Sequence, residues 1–123
     1  MPRAALGALK PGGRFLVETI NKSSLLRRFR TGSEERINGV RVVHANHWDA
    51  RTSRVNDTWT LSHGARTERH RISMRPYNGA EIRAVLRAAG FGEIQLFGHP
   101  PLGRLTRHSR RLIAVGRRPR KGA

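Results

Sequence analysis

Hydrophobic residues along the chain change their spacing several times, and each change marks an element. Arg3 to Leu9 reads as the end of a helix that stops at Lys10-Pro11-Gly12-Gly13, where proline and glycine both forbid continuation. Phe15-Leu16-Val17 is a short uninterrupted apolar run, the pattern of a strand buried on both faces, with Glu18-Thr19-Ile20-Asn21 at its carboxyl end. Between Ser23 and Arg30 the apolar positions Leu25, Leu26 and Phe29 recur at helical spacing, with Arg27, Arg28 and Arg30 on the other face.

Beyond a polar loop from Thr31 to Asn38, three segments alternate with period two, at residues 40–48, 54–63 and 66–75. They are joined by Asp49-Ala50-Arg51-Thr52-Ser53 and by a turn around Gly64, which predicts an antiparallel three-stranded meander inserted at residues 37–76. Val55, Trp59 and Leu61 fall on one face of it, with His70, Ile72 and Met74 from the next strand. Arg54, Asn56, Thr58 and Thr60 fall on the other, with Arg69, Arg71, Ser73 and Arg75. The sheet therefore has one greasy and one cationic side.

Asn78-Gly79-Ala80-Glu81 reads as a capping box, in which an Asn side chain accepts from the first helical turn and a Glu reaches back. Ile82, Val85, Leu86 and Ala89 form the buried stripe of the helix that follows, and Gly90 stands where a left-handed terminal residue is wanted. Glu93 to Phe97 alternates like an edge strand. Leu112-Ile113-Ala114-Val115 is apolar on both faces, as a central strand should be, and residues 117–123 read as a solvated basic tail.

Composition narrows the class. With 123 residues, 37% hydrophobic and 27% charged, the chain is long enough for one small globular domain and too short for two. It contains no Cys, which excludes disulfides, thiol redox chemistry and thiolate-held zinc or iron–sulfur centres. The longest apolar run is Leu112 to Val115, so no membrane span or signal peptide is expected and the reading is a cytoplasmic protein without membrane contact. The sequons at Asn21 and Asn56 carry no weight without a secretory route.

The net charge is +17 and the sequence pI about 12.0, with Lys10, Lys22 and Lys121 the only lysines among 25 cations. Arginine-rich usage beside abundant Ala and Gly also follows from GC-rich codons. The functional alternative is a phosphate-rich partner.

Two segments carry a family resemblance. Leu9-Lys10-Pro11-Gly12-Gly13-Arg14-Phe15-Leu16-Val17-Glu18-Thr19 resembles the approach to the fifth strand of class I S-adenosylmethionine-dependent methyltransferases. Tyr77-Asn78-Gly79-Ala80-Glu81-Ile82-Arg83-Ala84-Val85-Leu86-Arg87-Ala88-Ala89-Gly90-Phe91 resembles their last helix. With the closing strand pair, the likeness to the C-terminal half of that family covers about two-thirds of the chain. It implies an α/β fold: a partial Rossmann-like sheet of the last three strands and last helix, with the meander as a substrate-side lid. It also implies a seventh strand lying antiparallel between the fifth and the sixth.

The resemblance implies S-adenosylmethionine as cofactor and a small-molecule methyl acceptor as partner. Yet the family's glycine-rich turn after the first strand, and the acidic residue after the second, have no counterpart here. The expectation is one partial domain over residues 1–123, inactive alone because the donor-binding half is missing. Its fifth strand would then have an open apolar edge that invites a separate N-terminal half or self-association.

Ligands of open α/β sheets sit beyond the carboxyl ends of the strands, which makes Glu18 and Asn21 candidates for substrate binding, with Tyr77 ahead of the last helix as a third. Glu18 could act as a base or orient an acceptor, or simply be hydrated. Asn21 could instead cap the helix near Ser23. His47, Trp48, Trp59 and His70 could line a lid, although Trp59 lies on the apolar face. His44 and His47, three apart on a strand, point to opposite faces, so no metal site is expected. Asp49 and Asp57 have no nucleophile turn beside them, which disfavours a hydrolytic triad and leaves the catalytic residues unassigned. The rival reading is a small Arg-rich nucleic-acid-binding protein that uses Arg41, Arg54, Arg69, Arg71 and Arg75 on the polar side of the meander.

Overall fold

The computed structural model describes residues 2–120. In chain order it contains α1 (Pro2–Ala8), β1 (Arg14–Ile20), α2 (Lys22–Arg27), β2 (Gly32–Ile37), β3 (Val40–Asp49), β4 (Arg54–His63), β5 (Arg66–Met74), α3 (Gly79–Ala89), β6 (Gly92–His99), β7 (Gly103–Arg104) and β8 (Arg111–Arg117). These divide into two compact units, one of the residues up to Arg27 together with those from Tyr77 onward, the other Arg28–Pro76. The fold is α/β with two four-stranded antiparallel sheets.

The first unit carries the sheet β1-β8-β6-β7. β8 lies between β1 and β6 and is antiparallel to both, with Leu16 opposite Val115 and Leu96 opposite Ala114. This is the strand order that the sequence resemblance implies. Two-residue β7, between β6 and β8 in the chain, adds a fourth strand through the pairs Phe97–Arg104 and Gly98–Gly103. The Lys10-Pro11-Gly12-Gly13 turn is closed by a hydrogen bond from Gly13 N–H to Lys10 O at 2.8 Å, with Gly12 at φ 80°. Pro before a positive-φ Gly is type II turn chemistry.

α3 starts and stops where its caps dictate. The Asn78 side chain accepts from Glu81 N–H, the Glu81 carboxylate accepts from Asn78 N–H, and Gly90 adopts the left-handed conformation at φ 106°. Its Ile82 and Leu86 pack with Phe91, Leu112 and Ala114 as the buried core, and Leu6, Phe15, Val17 and Leu96 close around it.

Among the described residues only one face of this sheet is covered, and two expectations are corrected by that. β1 and β8 were expected to be buried on both faces. In β8, Leu112, Ala114 and Gly116 are buried while Ile113 and Val115 are half-exposed. In β1, Leu16 is 61% exposed. The physical reason is that α1, α3 and Phe91 all pack on the same side, so an apolar sequence on both faces is matched by burial on one. α2 is also shorter than its periodicity predicts, ending at Arg27 rather than Arg30.

The expected basic tail begins later than residue 117. Arg117 ends β8, and Arg118 donates from Nη1 to Leu6 O at 2.9 Å and Leu9 O at 2.6 Å, satisfying carbonyls at the end of α1. Residues 121–123 of that tail lie outside the described residues.

The second unit is the sheet β2-β3-β4-β5. The expected three-stranded meander is therefore four-stranded and starts at Gly32. Gly-Ser-Glu-Glu-Arg-Ile has no apolar alternation and so predicts a loop where the additional strand lies, and all six of its residues are exposed. It is set instead by its turn: Asn38 and Gly39 both take positive φ, 51° and 80°, the type I′ geometry of a two-residue hairpin.

Register divides this sheet into two unlike faces. Val40, Val42, His44, Trp48, Val55, Asp57, Trp59, Leu61, His70, Ile72 and Met74 share one; Arg36, Arg41, Arg54, Thr58, Thr60, Arg69, Arg71 and Ser73 share the other. The expected greasy and cationic sides are thus present. Arg75 falls beyond the end of β5, and Arg36, from the unforeseen strand, joins the cationic side.

Candidate functional site

The carboxyl end of β1 is where the sequence places Glu18 and Asn21, and Tyr77, the candidate ahead of the last helix, meets Asn21 there. Asn21 and Tyr77 form a parallel bridge, and Lys22 N–H donates to Tyr77 O at 3.0 Å. The chain thus enters α2 beside the residue that precedes α3. Tyr77 is half-buried against the Leu86–Leu112 core.

Asn21 is 2% exposed. Its Nδ2 donates to Thr106 O at 3.1 Å and Ser109 O at 2.8 Å, and its backbone N–H donates to Arg110 O at 3.0 Å. These bonds pin the loop between β7 and β8 over the end of β1. Within that loop Thr106 N–H donates to Ser109 Oγ at 3.0 Å and Ser109 N–H to Thr106 O at 3.1 Å, so the segment is a tight, internally bonded turn. At its tip the His108 ring meets the Arg27 guanidinium from the last turn of α2, with Nη1 3.2 Å from Nε2.

Glu18 lies apart from this cluster. It is exposed on the uncovered face of β1, where its Oε1 is 3.4 Å from Arg111 Nε on β8. Strand alternation sends it and Asn21 to different surroundings. The arrangement holds an exposed carboxylate in an ion pair, three residues from an amide whose Nδ2 is committed to structure.

A second polar link beside the cluster was not legible in sequence. Lys22 Nζ is 3.1 Å from Glu81 Oε1 and 3.3 Å from Oε2, so the residue that closes the α3 capping box also ties α2 to α3. Glu81 stood out in the sequence for capping alone; nothing in the spacing to Lys22, 59 residues away, signals the pair.

In the four-stranded sheet, His44 and His47 point to opposite faces as expected, opposite Trp59 and Asn56 respectively. The His44 ring stands edge-on to Trp59 with centroids 4.6 Å apart, and its Nδ1 is 3.7 Å from Asp57 Oδ2, the oxygen that also accepts from the Trp59 indole. Trp59 shares its face with Val55 and Leu61. Among the described residues no group of three His, Asp or Glu side chains is arranged to hold a metal ion.

The donor expected from the resemblance needs a glycine-rich cradle at a strand-to-helix turn. The residues here do not fit that need. The helix after β1 begins at Lys22 directly behind Asn21, with no glycine between, and the Gly90-Phe91-Gly92 stretch ends α3 and opens β6. No described helix is long and apolar enough to cross a membrane.

No family model matches the chain, and no curated protein matches it. Solved structures do. It is similar to the CcbJ methyltransferase from Streptomyces caelestis, with a TM-score of 0.77 and 21% identity over 95% of this chain and 51% of that one. It is similar to an S-adenosylmethionine-dependent methyltransferase from Clostridium acetobutylicum, with a TM-score of 0.74 and 14% identity over 96% and 49%. CalS10, an amino pentose methyltransferase from Micromonospora echinaspora solved with S-adenosylmethionine bound, gives 0.57 and 21% over 95% and 48%. The chain spans about half the length of each of these structures, and it has the fold of that half of an S-adenosylmethionine-dependent methyltransferase.

Proposed function

We propose that this chain is the C-terminal, substrate-side part of a cytoplasmic class I S-adenosylmethionine-dependent methyltransferase that acts on a small-molecule acceptor. The observation that carries the reading is the likeness to CcbJ, a TM-score of 0.77 over 95% of the chain. The position of β8 between β1 and β6 supports the Rossmann-like assignment.

In this reading the carboxyl end of β1 forms the acceptor side. Asn21 acts as a positioning residue, holding the Thr106–Ser109 turn in place, while Tyr77 offers a phenol at the same end of the sheet. Glu18 orients the acceptor or takes its proton. Methyl transfer from a sulfonium needs alignment and a modest base rather than a covalent relay, so few dedicated side chains suffice. The four-stranded sheet serves as a lid on the substrate side. The donor is held by a further set of strands that pairs with the open edge of β1, and the 123 residues alone are inactive.

Calorimetric titration of the 123-residue chain with S-adenosylmethionine tests the reading. No binding is expected up to about 1 mM donor, a free energy of about −4 kcal/mol. Micromolar affinity would overturn it.

A further inference from the structure

We infer that the arginine face of the four-stranded sheet is a binding surface for the phosphodiester backbone of nucleic acid. The inference is independent of the methyltransferase reading and concerns the unit Arg28–Pro76, whereas Glu18, Asn21 and Tyr77 belong to the other.

Register gathers the charge. Arg36 on β2 stands directly opposite Arg41 on β3, Arg54 projects from β4, and Arg69 and Arg71 occupy alternate positions of β5, all on one face. Like charges directly opposite one another weaken a sheet, so the Arg36–Arg41 pair has no structural return of its own. Glu34 neutralises Arg41, with a second bond from Nη2 to Oε2 at 3.2 Å, and Ser73 fixes Arg54 through its Oγ at 2.7 Å and its carbonyl at 3.3 Å. Arg36, Arg69 and Arg71 are exposed and form no ion pair among the described residues. The acids Glu35, Asp57 and Glu68 lie on the opposite face, while Asp49, at the end of β3, stands opposite Arg54 on this one.

The layout fits a row of phosphates better than one. Residues two apart on a strand are about 6.8 Å apart, and β2 and β5 are separated by three strand spacings, about 14 Å. Arg36 and the Arg69–Arg71 pair therefore cannot close on a single phosphate group. Between them, Thr60 and Thr58 stand opposite Arg69 and Arg71 and supply neutral donors of the kind that contact phosphate oxygens. A groove of about 390 Å³ is lined by Asn56, Asp57, Thr58, Arg71, Ile72 and Ser73, four of which belong to the arginine face.

The same face excludes two alternatives. Trp48 and Trp59 lie on the other side, so bases have no stacking platform and recognition is of backbone, without sequence readout. Its apolar side chains are only Val43 and Ala45, too little for insertion into a lipid surface. The net charge of +17 adds long-range attraction to a polyanion.

The test is fluorescence anisotropy of the 123-residue chain with a labelled mixed-sequence duplex of about 20 base pairs, across a salt series. Three free arginines predict a log K against log salt slope near −3, and an affinity loss of about 40-fold between about 50 and 200 mM salt. Arg69→Gln with Arg71→Gln should bring the slope to about −1. Arg3→Gln with Arg87→Gln, an equal charge change on exposed helix positions of the other unit, should leave the slope near its original value. If the β5 double variant melts early, Arg36→Gln alone should shift the slope by about one. Equal losses in the two double variants would overturn the inference, since attraction would then follow net charge alone. So would the absence of duplex binding at about 50 mM salt, or binding to phosphatidylserine vesicles in its place.

Discussion

Phe15 on β1 and Phe91 beside the end of α3 stack with ring centroids 5.4 Å apart and 21° between their planes. That contact fastens an outer strand of the first sheet to the end of α3, which packs on the same face. A Cβ built on Gly116 would stand 3.0 Å from Phe91 Cβ, so the ring is seated against bare backbone of β8. Phe91→Ala should cost about 3–5 kcal/mol, a large fraction of the stability of a small domain, as measured by denaturant titration. A loss below about 1 kcal/mol would mean that β1 is not held this way.

Asn21→Ala should destabilise by about 1–3 kcal/mol, because the carbonyls of Thr106 and Ser109 lose their buried donor. The distinctive readout is local: amide exchange at Thr106, Ser109 and Asn21 itself should accelerate while that of α3 keeps pace with global unfolding. Uniform acceleration would assign Asn21 to general packing rather than to the turn.

Leu16→Lys removes an exposed apolar side chain from the uncovered face of β1. Its effect on unfolding should stay within about 0.5 kcal/mol, whereas concentration-dependent association seen by sedimentation should fall. Unchanged association would place the sticky surface elsewhere.

Glu34 titrates below the ordinary carboxylate value, chiefly through the hydrogen bond from Arg41, which outweighs an opposing desolvation, with lesser lowering by the charges of Arg41 and Arg36. Arg41 is correspondingly raised by Glu34. A depressed folded-state pKa means that the pair contributes above the unfolded carboxylate's pKa and is lost as pH falls through the folded value. Both groups are fully exposed, so the readout is the site and not global stability. Arg41→Gln should return the Glu34 titration upward to the ordinary range by carboxyl-detected NMR. No change would show the pair to be open in solution.

Local signals read well from the sequence and distant ones did not. The capping box at Asn78 and Glu81, the left-handed Gly90 and the turn at Lys10-Pro11-Gly12-Gly13 are each set by neighbours within a few residues, and each stands where its chemistry predicted. β2 was missed because an exposed hairpin arm needs no apolar alternation; the Asn38-Gly39 pair was its only signal. Burial of β1 on both faces was overestimated because an apolar pattern records which faces can be covered, not which are. At the candidate site, Asn21 and Tyr77 were legible by position. The partners of Asn21, 85 and 88 residues away, depend on a sheet that closes the chain on itself, and no spacing rule reaches that far.

Four strands lie at the margins of the two sheets, together with residues 92–96 of β6 that β7 does not reach and where the register shifts, and all but one of these edges are poor hosts for another strand. β2 and β5 present Glu34, Glu35, Arg36, Arg66, Glu68, Arg69 and Arg71 along solvated ladders, and β7 is two residues long. β1 differs: Phe15, Leu16, Val17, Thr19 and Ile20 make it the one margin whose composition favours growth. A molecule with a single receptive margin has only one place to add to, and each addition uses it up. Were two copies to pair through β1, the association would terminate at two chains, a closed dimer instead of a fibre.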